Sequence, residues 1–61
     1  IPFVELYHTE NLIHAQNVSG TTRGSNATIS GANLNPAKTG TWRNVSGNDI
    51  FNTGYGLWER V

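Results

Sequence analysis

Four carboxylates, Glu5, Glu10, Asp49 and Glu59, and two histidines, His8 and His14, are the side chains of this 61-residue chain that could move protons near neutral pH. A Ser–His–Asp set could be assembled from these residues, but no local motif such as G-x-S-x-G is present to support it. Paired carboxylates for glycoside hydrolysis could meet only through tertiary folding or across subunits. His8 and His14 stand six apart, matching no i,i+4 helical pair and no obvious same-face pair on a strand. An ion could then be held only if three copies each turned one histidine to a shared axis. With no cysteine, neither a disulfide framework nor a thiolate metal site is possible. The expectation is a non-enzyme without metal or cofactor.

Charge and hydropathy exclude further classes. Four Lys and Arg balance four Asp and Glu, so nothing supplies the electrostatic attraction that nucleic-acid binding requires. No apolar run is long enough to insert in a membrane. Asn, Ser, Thr and Gly together number 26 of 61 residues, while apolar residues make up 36%, below the usual ~45–50%. A lone chain then has little apolar surface to set against the entropy of ordering, and small domains of this kind need staples, metals or partners. Oligomerisation is the expected remedy.

Side chains suited to binding cluster in the tail. Trp42, Tyr55 and Trp58 could be stacking platforms for sugar rings, with Asn48, Asp49 and Asn52 beside them to bond hydroxyls. In so apolar-poor a chain, however, the two tryptophans are better read as packing. Trp42, Trp58, Leu57, Phe51 and Ile50 are therefore the candidates for packing between subunits. Tyr55 lies between Gly54 and Gly56, on an expected loop tip. With Asn52, Asn48, Asp49 and Arg43 it makes up the candidate receptor-binding set. Three Asn-x-Ser/Thr triplets begin at Asn17, Asn26 and Asn44; they fit the glycosylation pattern, but composition alone produces them.

The elements that must position these residues are short. Residues 1–8 read as a strand whose Pro2 confines its start to an edge. Residues 9–16 suit a helical turn capped by Thr9, a strand or a loop. Alternation from Asn26 to Ser30 suits a half-buried strand, and Asn35-Pro36 ends that region. Thr41–Val45 and Leu57–Val61 are two further strands, separated by the turn Ser46-Gly47-Asn48-Asp49. The fold class is all-β or mostly irregular β, with short strands and glycine turns, one structural unit made of a polar, shaft-like segment 1–38 and an aromatic β segment 39–61. Asn-Val-Ser-Gly occurs at 17–20 and again at 44–47. A period seen once reads as two turns of shared chemistry rather than as a repeat.

Gly40-Thr41-Trp42-Arg43, followed by Gly56-Leu57-Trp58-Glu59-Arg60-Val61, resembles the C-terminal end of tailed-bacteriophage tail-fibre proteins. Many of these finish in a G-T-W-R segment and a terminal strand with an apolar–aromatic pair, an arginine and a final Val or Ile. The likeness covers residues 39–61; residues 1–38 match fibre shafts only in composition. It implies three chains wound into one intertwined homotrimer, located in the virion. Its role would be host attachment, with a bacterial surface polysaccharide or outer-membrane protein as receptor and other fibre subunits as partners. The His-x-His metal sites of some fibre tips are missing. Two alternatives stand beside this: a small β-type carbohydrate-binding module, and a fragment of a larger tailspike or enzyme.

Overall fold

A computed structural model describes residues 9–61; the strand expected at 1–8 lies outside the described residues. Five strands, β1 (Leu12–Asn17), β2 (Thr28–Ser30), β3 (Leu34–Asn35), β4 (Thr41–Asn44) and β5 (Tyr55–Arg60), form one antiparallel sheet in the order β2-β4-β5-β1-β3. The sheet curls into a half-barrel, and the described chain is mostly β. Residues 9–16, left open between turn and strand, hold an isolated bridge from Thr9 to Leu12 and then most of β1. Tyr55 is not on a loop tip: it opens β5. Gly56 explains the difference. A Cβ there would fall 2.6 Å from Ile50 Cδ1 and 2.9 Å from Ser46 Oγ, so this glycine serves close packing inside a strand rather than a turn.

Alternation along the strands decides what is inside. Trp42 and Asn44 of β4, Gly56 and Trp58 of β5, and Ala15 and Asn17 of β1 point into the curl. The core is Ala15, Ile29, Leu34, Trp42, Ile50 and Trp58. Both indoles are buried completely by their own chain. Each satisfies its one donor, Trp42 Nε1 on the Thr39 carbonyl (3.0 Å) and Trp58 Nε1 on the Ala15 carbonyl (3.1 Å), as a buried indole must. The Arg60 guanidinium lies 4.5 Å from the centre of the Trp42 ring, a cation–π contact. Arg60 Nη1 also donates to the Thr39 carbonyl and its Nε to Asn11 Oδ1, which closes this end of the curl.

The five residues expected to pack therefore separate. Trp42, Trp58 and Ile50 pack within one copy, and Leu57 is half-buried on the outer face of β5. Phe51 is 67% exposed.

The repeated Asn-Val-Ser-Gly is more than a shared turn. Advancing by 27 residues carries 14–30 onto 41–57, and the backbone bonding of the two spans is the same but for one pair of amides. Asn17 Nδ2 donates to the carbonyls of Thr21 (2.8 Å), Ile50 (3.2 Å) and Phe51 (3.5 Å). Asn44 Nδ2 donates to those of Asn48 (2.8 Å), Arg23 (3.3 Å) and Gly24 (3.1 Å). Subtracting 27 from 50 and 51 gives 23 and 24, and adding it to 21 gives 48. Each asparagine thus latches its own loop and, reciprocally, the other one. Its Oδ1 accepts from the amide two residues on, Ser19 or Ser46, an Asx turn.

The correspondence extends further. Arg23 and Ile50 exchange both backbone bonds. Asn26 and Thr53 both take positive φ, 67° and 68°, and Gly20 and Gly47 both lie at 85°. The amide of Thr53 donates to the Asn17 carbonyl, as that of Asn26 does to Asn44. Even the ladders match: Thr28↔Arg43, Ile29↔Trp42 and Ser30↔Thr41 become Tyr55↔Gln16, Gly56↔Ala15 and Leu57↔His14. Residues 14–30 and 41–57 are two copies of one unit related by a pseudo-twofold axis. The equivalence ends where the amides of Val18 and Val45 bond different partners, Asn33 and Leu57.

Candidate functional site

The inner face is filled, and no cavity opens among the described residues, so a ligand meets the outer face or the loops. On the outer face β1 presents Leu12, His14 and Gln16, opposite Glu59, Leu57 and Tyr55 of β5. Arg43 of β4 continues the row beyond Glu59, with Thr28 of β2 beyond it. Opposite charges directly across a ladder favour the pairing of β4 with β5.

The expected receptor residues fall into two groups. Tyr55 and Arg43 stand on this face, both exposed. Asn48, Asp49 and Asn52 are exposed but belong to the loops, where they hold backbone. The Asn48 carbonyl receives the Asn44 latch. Asp49 Oδ1 accepts from the Ser25 amide (3.4 Å) and Asn52 Oδ1 from the Gly20 amide (3.1 Å). These contacts tie one unit to the other, so the loop side chains already have structural work. Trp42 and Trp58 present no surface for stacking a sugar.

Three residues of this face were not placed with Tyr55 by the sequence. His14, on the adjacent strand, stacks with Tyr55 at 5.9 Å between centroids and 20° between planes. Gln16 sits directly opposite Tyr55, and Asn35 of β3 directly opposite Gln16. Asn35 Nδ2 donates to Gln16 Oε1 (3.1 Å), and Gln16 Nε2 donates to the Thr53 carbonyl (3.0 Å). The strand period of two could have placed His14 and Gln16 on one face, but only the register brings them to Tyr55.

The pseudo-twofold axis supplies an internal comparison. It carries Tyr55, Gln16, His14 and Leu57 onto Thr28, Arg43, Thr41 and Ser30. The same scaffold thus bears a stacked aromatic pair on one half and small hydroxyls with an arginine on the other. Nothing in the core demands the difference, because all of these side chains point outward.

The Asn-x-Ser triplets at Asn17 and Asn44 are closed to modification in the folded chain. Both side chains are wholly buried and their amide nitrogens are committed to carbonyls. Asn26 is exposed. Comparison of the chain with protein-family models, with curated proteins and with solved structures found no match.

Proposed function

We propose that this chain is a structural and host-attachment segment of the tailed-phage fibre type. It acts as a homotrimer in the virion and meets a bacterial surface glycan or outer-membrane protein with the outer face of β1 and β5. The observation that carries the reading is the broken symmetry. Two units make the same core and the same latches, yet only one displays an exposed aromatic pair flanked by fixed amides. Exposed aromatic surface on an otherwise polar small domain is a mark of an interaction site. The tail sequence around Trp42 and Trp58, which resembles fibre ends, supports the same reading.

Assembly has its own support. The core holds six residues, a small reserve for a chain of this length. Phe51, Val18 and Val61 remain exposed at 67%, 44% and 64%, and among the described residues β2 and β3 are the short edge strands of the sheet, which neighbouring copies can cover.

One observation favours a second reading, a monomeric carbohydrate-binding module: both tryptophans are covered without help from another copy. Solution mass decides between them. The fibre reading expects three times 6.7 kDa by light scattering, with trimers that adhere to bacterial cells. A monomeric mass would remove it and leave the module.

A further inference from the structure

We infer that the outer face of β1 and β5 binds the apolar face of an uncharged pyranose, seated on Tyr55 and His14 and held at its edge by the amides of Gln16 and Asn35. This rests on the attachment reading above and names the ligand chemistry of that face.

The rings come first. Tyr55 is 61% exposed although it is stacked with His14, so the pair forms a stepped ledge of two nearly parallel rings on neighbouring strands. A pyranose has a flat face of C–H groups, and covering it with an aromatic ring removes apolar area from water on both sides.

The amides come next. A primary amide carries two N–H donors and an oxygen with two lone pairs. Gln16 spends one donor on Thr53 and one lone pair on Asn35; Asn35 spends one donor on Gln16. Each therefore keeps a donor and acceptor capacity, which suits sugar hydroxyls because they donate and accept at once. The two amides are also oriented before a ligand arrives, which lowers the ordering cost of binding.

Charge selects among sugars. No Asp, Glu, Lys or Arg stands in the rows formed by Asn35, Gln16 and Tyr55 and by His14 and Leu57. A phosphate or uronic acid draws its affinity from charge-assisted bonds to a cation such as arginine. Arg43 lies in the next strand, across from Glu59. The face related by the pseudo-twofold has Arg43 in place of Gln16 and Thr28 in place of Tyr55, so it serves as a control on the same molecule.

The experiment is an NMR titration of the isotope-labelled full chain with neutral gluco-, galacto- and manno-oligosaccharides, and in parallel with oligogalacturonate and inorganic phosphate. Saturable shifts of the Gln16 and Asn35 side-chain amides are expected with at least one neutral sugar and with neither anion. Tyr55→Ala should weaken that binding at least about tenfold with signal dispersion retained. Tyr55→Phe should retain it, since it keeps the ring and loses only the hydroxyl, and Thr28→Ala should leave it unchanged. Equal or tighter binding of galacturonate or phosphate would overturn the inference, as would Tyr55→Phe matching Tyr55→Ala. So would the absence of binding by every neutral sugar. If the chain then still adhered to cells, attachment would stand with a protein receptor. Sugar binding without adhesion would remove the attachment reading and keep this site.

Discussion

Residues 14–30 and 41–57 agree at four of seventeen positions, Asn-Val-Ser-Gly, yet they repeat each other in their latches, their ladders and nearly all their backbone bonds. The outward residues of their strands agree nowhere. The difference separates what specifies this fold from what decorates it. A buried asparagine whose amide answers carbonyls on two loops fixes both loops at once, and buried polar groups must be satisfied in this manner. Hydrogen bonding to backbone asks little of the side chains around it, so the rest of each unit is free to vary while the latch persists. The outer face carries no such obligation, and there the halves part company: rings and amides on one, hydroxyls and a guanidinium on the other.

The strongest way to break this comparison is to remove the latches. Asn17→Ala and Asn44→Ala each strip one buried amide from three carbonyls, and each should cost about 3 kcal/mol, a large share of a small domain's stability. Denaturant unfolding should give two losses within about 1 kcal/mol of each other; one severe and one negligible loss would mean the halves are equivalent in shape alone. Asn44→Asp is sharper still. It sets a carboxylate against the carbonyls of Arg23, Gly24 and Asn48, so its folded-state pKa should rise above the unfolded value of about 3.9. The stability lost at neutral pH should then return as pH falls through that raised pKa. Indifference of its melting temperature to pH between ~4 and 7 would contradict the carbonyl cage.

A gentler test makes the halves more alike. Arg23 occupies the position equivalent to Ile50, and its Nε is buried with no hydrogen-bond partner, whereas Ile50 belongs to the core. Arg23→Ile should stabilise the chain by about 1 kcal/mol, the order of cost of a buried unsatisfied group. A drop in melting temperature would show that the guanidinium does more for the fold than its Nε costs. The smallest effect concerns backbone. Thr53 adopts the left-handed conformation that a β-branched residue resists, and its counterpart Asn26 tolerates it. Thr53→Asn should gain about 0.5 kcal/mol and Asn26→Thr lose a similar amount. Calorimetry on the pair should give shifts of opposite sign.

How much of this was legible beforehand follows from which contacts are local. The β class, the strand around Trp42 and the burial of both tryptophans could be read, because alternation and a scarcity of apolar residues are properties of nearby sequence. Tyr55 was misplaced because Gly54 and Gly56 signal a turn in isolation; that Gly56 instead makes room for Ile50 is known only from the fold. The latches were hidden in plain view. Asn17 and Asn44 sit in a visible repeat, but their partners in the other unit lie twenty or more residues away, and an asparagine looks the same whether it turns a loop or ties two together. Of the candidate face, Tyr55 and Arg43 were found by type. His14, Gln16 and Asn35 needed the register of three strands.

Two ladder pairs have a practical corollary. Ser30 sits across from Thr41, where a ten-residue connection joins the units, and Leu57 sits across from His14 in the equivalent place. The Arg60 amide bonds the Asn11 carbonyl, so a short linker could join the end of β5 to the start of β1 with Trp58 kept, and the present connection could be cut instead. Circular permutation should yield the same sheet with its halves made in reverse order, and would give tags or fusion partners a new point of attachment within the connection.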